Sequence, residues 1–182
     1  ALRTPVLHHR LDADCELPLT PESLQSTGAF KIRGAFNLML TLPKGCAGVV
    51  AHSSGNHAQA VARAANLLGL RAVIVMPADA PEPKRARTAA DGAELVLVGP
   101  GSDERAFRAD EIARSEGLVP VPPYDHPLIA AGQGAAADPA VVDDLLFDGL
   151  LASLQTAPDS PIADRDPSEI RTAVAHHPPE ER

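Results

Sequence analysis

The chain has 182 residues, 45% hydrophobic but only 3% aromatic. A core of ordinary domain size must then be built from Ala, Val and Leu, which favours tightly layered α/β packing over a sandwich with aromatic anchors. The net charge of −8, with Lys84-Arg85-Ala86-Arg87 as the only basic run, excludes the basic face that nucleic acid needs, and no apolar run approaches a membrane span of roughly 20 residues. Cys15 and Cys46 lack the spacing of a disulfide framework or a zinc site. The chain opens without the charged-then-apolar order of a signal peptide, so the expected location is the cytoplasm.

In chain order, Thr4-Pro5 favours an extended start, and Leu7, Leu11, Cys15, Leu17 and Leu19 allow one or two short strands before residue 22. From Phe30 the hydrophobic period becomes helical. Phe30, Gly34, Leu38, Ala35 and Leu42 share one broad face, Lys31 and Arg33 lie in the first turn, and Pro43 and Gly45 end the helix.

Four apolar runs follow, at 48–53, 72–76, 94–98 and 118–121, separated by helical patterns at 56–68, 81–91 and 103–115. Pro81 suits a first turn, Asp103 is a candidate N-cap, and Ala106, Ala109 and Ala113 give the third helix a small-residue face. Val- and Ile-rich runs without alternation predict strands buried on both faces, and their alternation with helices predicts parallel order and right-handed crossovers. Pro120 predicts that the last run is an edge strand. The expected fold class is thus α/β, an open four-stranded parallel sheet with flanking helices, whose ligands bind beyond the C-terminal strand ends. After Gly134 the pattern predicts one amphipathic helix, 141–155, and a tail rich in Pro, Asp and Glu, 156–182, without a fixed fold.

Two stretches carry chemistry. Lys31, one of three lysines, begins a helix inside Ser26-Thr27-Gly28-Ala29-Phe30-Lys31-Ile32-Arg33-Gly34-Ala35. A desolvated lysine there favours the neutral amine that forms a Schiff base with an aldehyde cofactor, although a surface lysine in a first turn fits the same spacing. Ser53-Ser54-Gly55-Asn56-His57 joins a strand to a helix N-terminus, where free N–H groups attract a substrate carboxylate. Gly55 allows backbone shapes other residues avoid, Asn56 offers an amide, and Ser54 offers a hydroxyl for carboxylate binding or acid/base work. Ser and Asn are also ordinary helix caps, and both readings hold together. The adjacent pairs His8-His9 and His176-His177 lack metal-ligand spacing, and no Gly-x-Gly-x-x-Gly or Walker-type loop is present.

Residues 4–134 resemble the β-family (fold type II) of pyridoxal-phosphate (PLP) enzymes, within it the threonine/serine dehydratases and serine racemases. The resemblance rests on Thr4-Pro5-Val6-Leu7, residues 22–35, Ala51-His52-Ser53-Ser54-Gly55-Asn56-His57-Ala58-Gln59, Val75-Met76-Pro77, Ala80-Pro81 with Lys84, Gly92-Ala93 and Ala131-Gly132-Gln133-Gly134, in the family's order. It implies the small domain of the tryptophan synthase β-like fold. Lys31 then holds the cofactor and moves protons at the substrate Cα, and Phe30 packs beside the cofactor. Asn56 contacts the ring oxygen. Ser53, Ser54, Gly55 and His57 form the substrate carboxylate loop, with Ser54 similar to the second acid/base of serine racemases. The implied reaction converts L-serine or L-threonine to a 2-oxo acid and ammonia. A racemase or other reaction on the same scaffold shares Lys31, and a non-catalytic fragment that folds as a small α/β domain is the reading from another class. A homodimer is the implied assembly.

Two departures stand out. Thr20 occupies a position where the family usually has lysine, and Gly149 is the sole glycine after Gly134, so the family's glycine-rich phosphate loop has no counterpart. The expected organisation is therefore a remnant of the large domain at 1–22, a small PLP-enzyme domain at 23–125, a partial large-domain segment at 126–155 and a tail at 156–182, a truncated arrangement with the second domain incomplete.

Overall fold

The computed structural model describes residues 1–12 and 16–136, so Cys15, the helix expected at 141–155 and the tail lie outside the described residues. The chain enters as an antiparallel hairpin of β1 (Leu7–Arg10) and β2 (Glu16–Leu19), the upper end of what the weak leucine pattern allowed. A short turn leads to α1 (Lys31–Met39). Then β3 (Val49–His52), α2 (Asn56–Leu68), β4 (Ala72–Pro77), α3 (Glu82–Ala90), β5 (Glu94–Val98), α4 (Ser102–Glu116) and β6 (Val119–Pro120) alternate, and α5 (Pro127–Gly134) closes the described region.

The four strands β3 to β6 form the expected parallel sheet, in the order β5-β4-β3-β6. The two-residue period of a strand divides it into two cores. Val49 and Ala51 of β3, with Ala72, Ile74 and Met76 of β4, face α1 and α2, whereas Val50, Val73 and Val75 face Ala109 and Ile112 of α4 and Leu118. Burial on both faces explains the unbroken apolar runs of β3 and β4.

The expectation fails for β5. Its Glu94 and Leu97 are exposed, Leu97 at 47%, because it lies at the sheet's outer edge. At the opposite edge β6 pairs Pro120 with Val50 while Val119 and Val121 donate to the carbonyls of Gly48 and Val50, so the missing proline N–H falls on the unpaired side, as expected.

Chain direction decides where the helices go. From β3 the sheet grows through β4 to β5, and right-handed crossovers put α2 and α3 on one face. The return from β5 to β6 runs the other way, so the same handedness puts α4 on the opposite face, against β3, β4 and β6. This reversal makes the gap between the C-terminal ends of β3 and β6 a topological switch point, where open α/β sheets leave a crevice.

Helix α1 is more central than one apolar face implies. Every residue from Ile32 to Met39 is buried, because α2 packs on one side and α5 on another. The α1–α5 crossing is close: a Cβ on Gly132 would stand 2.7 Å from the Asn37 Cβ and 2.8 Å from the Arg33 carbonyl oxygen, and one on Gly34 would stand 2.9 Å from the Ile129 carbonyl oxygen. Asn37 Nδ2 donates to the Leu128 carbonyl at 2.6 Å and ties the two helices further. Eight residues, three of them Gly or Pro, show no readable period, which is why α5 is absent from the pattern-based expectation.

Arg33 is buried with a partner. Its Nε and Nη2 donate to the two Glu22 carboxylate oxygens at 2.7 and 2.8 Å, and Nη2 also reaches Thr4 Oγ1 at 3.0 Å. Burial would raise the Glu22 pKa, but the hydrogen bonds from Arg33 and Thr4 outweigh it and hold the carboxyl below its usual range. The N-terminal segment is thereby clamped to α1, aided by Gln25, which exchanges hydrogen bonds with Leu2 at 2.8 and 2.7 Å. At the other end, Thr20 Oγ1 donates to the Ala136 carbonyl at 2.7 Å.

Two smaller expectations change. Helix α4 begins one residue before Asp103, with Gly101 as its cap, so Asp103 lies in the first turn and complements the helix dipole instead of capping it. Helix α1 ends at Met39, and irregular turns carry the chain to Pro43.

Candidate active site

The site has two halves. At the first, Gly28 takes φ +69°, a left-handed shape suited to glycine, and its N–H bonds to the Gln25 carbonyl at 2.7 Å. That turn delivers Lys31 as the first residue of α1, half-buried. Lys31 Nζ donates to the Pro123 carbonyl at 2.7 Å and to Gln133 Oε1 at 3.3 Å. Both acceptors are neutral. Desolvation therefore lowers the amine's pKa from its ordinary value. The Phe30 ring lies with its centre 5.4 Å from Nζ and is itself 39% exposed, so its outer face is open.

The second half follows β3. Ser53 N–H continues the ladder to the Val75 carbonyl at 3.0 Å, and Ser53 Oγ accepts from the Gly55 N–H at 3.2 Å. Gly55 is the cap of α2, and neither Ser nor Asn caps this helix through its side chain, which removes the capping reading of the motif. Asn56 and Ser54 are exposed. The first-turn N–H groups of α2 have no acceptor within the helix and favour an anion. Gly55 does not use a left-handed backbone, since its φ is −158°. A Cβ there would stand 3.0 Å from Lys84 Nζ, the movable end of a side chain that reaches over from α3.

His57 is buried. Its Nε2 lies 2.9 Å from the Val121 carbonyl. A carbonyl only accepts, so the proton sits on Nε2, leaving Nδ1 buried and without a hydrogen-bond partner among the described residues. Burial, opposed by the Val121 hydrogen bond and aided by the Lys31 charge, lowers the ring's pKa to about 4. The ring is neutral near pH 7 and acts as a fixed donor.

The two halves meet on the stretch after β6. His57 holds the carbonyl of Val121 and Lys31 holds that of Pro123, two residues apart along the chain, or at most about 7 Å of extended backbone. This stretch leaves β6 at the switch point. Lys31, Phe30, Ser53, Ser54, Gly55, Asn56 and His57 thus belong to one neighbourhood. Sequence reasoning did not single out Pro123, Val121 or Gln133. The two carbonyls carry no side-chain signal at all, whereas Gln133 lay in the matched Ala-Gly-Gln-Gly run without a role.

A part-buried amine bonded, among the described residues, to two neutral oxygens, beside a helix N-terminus, fits a cofactor that joins a lysine nitrogen and a substrate that carries a carboxylate. The model of the family described as pyridoxal-phosphate dependent enzyme matches residues 2–155. The chain belongs to this family. Its cofactor is pyridoxal 5′-phosphate, and the family includes ammonia-lyases. Similar members include serine racemase of Schizosaccharomyces pombe, 49% identical over 118 residues, which cover 64% of this chain and 36% of the relative. The catabolic L-threonine dehydratase of Escherichia coli K12 is 46% identical over 121 residues, covering 65% of this chain and 37% of the relative. The structure of maize serine racemase superposes with a TM-score of 0.72 at 34% identity, covering 81% of this chain and 46% of that one. The chain thus spans less than half the length of these family members.

Proposed function

We propose that the chain carries the lysine half of a PLP pocket for dehydration and deamination of L-serine or L-threonine to a 2-oxo acid and ammonia. The observation that carries this reading is the Lys31 amine, half-buried and bound by two neutral oxygens, Pro123 O and Gln133 Oε1. Such an amine gives up its proton below the usual lysine range and becomes a nucleophile toward an aldehyde and a base toward carbon. In this reading Lys31 holds the cofactor, Phe30 flanks it and Asn56 presents its amide to the ring oxygen. Bound pyridoxal phosphate supplies the electron sink for bond cleavage at the substrate Cα. Ser53, Ser54, Gly55 and His57, with the N-terminus of α2, receive the substrate carboxylate. His57 keeps the loop in place through Val121, and Lys31 Nζ moves the proton at Cα. The exposed Ser54 hydroxyl is a second acid/base group, which favours a racemase-type proton exchange on serine as the alternative. The family resemblance implies a homodimer, which sedimentation of the purified chain checks.

The test is a visible absorption spectrum of the purified chain with added pyridoxal phosphate, before and after borohydride, followed by peptide mapping and assays for 2-oxo acid and for D-serine. A reducible band traced to Lys31, with 2-oxo acid from serine or threonine, is the expected result. D-serine without 2-oxo acid selects the racemase reading. If Lys31→Ala leaves cofactor attachment and amino-acid turnover unchanged, the proposal fails, and the non-catalytic α/β domain is what remains.

A further inference from the structure

Helix α5 enters the site through one side chain. Gln133 Oε1 accepts from Lys31 Nζ at 3.3 Å, and the Pro123 carbonyl accepts from the same nitrogen at 2.7 Å. Gln133 Nε2 in turn lies 3.5 Å from that carbonyl, so the amide and the carbonyl form one cradle around the amine. The close α1–α5 crossing sets the position of the glutamine's backbone: the Gln133 Cγ sits 2.9 Å from where a Cβ on Gly34 would stand, and the neighbouring Gly132 packs against the α1 backbone.

We infer that Gln133 is a positioning residue, whose amide oxygen, together with the Pro123 carbonyl, aims the lone pair of the Lys31 amine. The argument is one of valence. A neutral primary amine has two N–H bonds and one lone pair on a tetrahedral nitrogen. Two oxygens that take both N–H bonds leave the lone pair a single remaining direction, away from Pro123 and Gln133. An orienting hydrogen bond of this kind converts a rotating amine into a directed nucleophile or base. The choice of an amide also matters for the proton. Glutamine is nearly isosteric with glutamate, yet a carboxylate at that place would hold the amine as its ammonium form. His57 on α2 lies within reach of the Lys31 charge and is neutral near pH 7, and His126 at the start of α5 turns its Nδ1 to the Leu128 N–H.

The inference rests on the proposed function only in taking Lys31 as the reactive amine, and its test needs no cofactor. The 182-residue chain is treated with acetic anhydride at graded pH, and acetylation of Lys31 is followed by peptide mass spectrometry, with Lys44 and Lys84 as internal references. In Gln133→Glu the pH midpoint of Lys31 acetylation should rise by at least about one unit, so about tenfold less label at a fixed pH below it, while Lys44 and Lys84 keep theirs. In Gln133→Met, which retains volume but removes the acceptor, the midpoint should fall, because the ammonium loses more than the amine when an oxygen is withdrawn. Circular dichroism identifies any variant that fails to fold, and the other variant then decides. An unchanged Lys31 midpoint in a folded variant overturns the inference. If wild-type Lys31 takes no pyridoxal phosphate yet its acetylation midpoint shifts as stated, the proposed function fails and the cradle stands.

Discussion

The two halves of the site are built on opposite plans. Around Lys31 the polar side chains of α1 take partners from other segments of the chain: Pro123 and Gln133 for Lys31, Glu22 and Thr4 for Arg33, the Leu128 carbonyl for Asn37. Around Ser53–His57 the order comes from the Ser53 hydroxyl on the Gly55 N–H and from one buried ring, while Ser54 and Asn56 are exposed. The difference follows from the work proposed for each. A group that must hold or shed a proton at a chosen pH needs a fixed, partly dry environment. Groups that capture an incoming anion need open donors and a helix N-terminus. The first half should therefore be fragile to mutation in folding terms, and the second in functional terms.

The sharpest way to break that contrast is Arg33→Met. Removing one partner of a buried pair leaves Glu22 uncompensated and should cost about 3–5 kcal/mol, read from urea unfolding of the purified chain. A loss under about 1 kcal/mol would mean that the clamp on α1 is ornamental. Next comes acid. Because the folded-state pKa of His57 is depressed from 6.5 to about 4, the unfolded chain binds the proton first. Its contribution is intact above pH 6.5 and is lost as pH falls toward 4, on the order of 3 kcal/mol in all. His57→Gln should flatten this segment of the stability–pH curve. Third, Gly132→Val forces a side chain into the Asn37 Cβ and the Arg33 carbonyl and should cost about 1–3 kcal/mol, while Gly134→Ala, with nothing among the described residues within 4 Å of the new Cβ, should change stability little. The smallest stability effect belongs to the open half. Ser54→Ala should stay within about 0.5 kcal/mol of wild type in urea and yet lower turnover by about 10²–10⁴-fold. If it destabilises the chain as much as Gly132→Val does, the two halves are not built differently.

Much of this is legible along the chain. The unbroken Val/Ile runs of β3 and β4, the Pro120 edge, the helical period of α2 and the two motifs all sit where their residue types put them. Local rules work there because strand burial, helix period and proline geometry are properties of a few consecutive residues. They fail at β5, whose Val-Leu-Val run is as apolar as a central strand but lies at an edge, and at α5, too short and glycine-rich to show a period.

What residue order carries unaided is the parallel α/β class, the family likeness and the identity of Lys31 and the Ser53–His57 loop, since each is a local pattern. What the folded chain adds is the reversal of strand order that brings the ends of β3 and β6 together, and with it the meeting of His57 and Lys31 on Val121 and Pro123. Strand order depends on contacts between residues tens of positions apart, and the decisive acceptors are backbone carbonyls, which every residue possesses and no sequence pattern distinguishes.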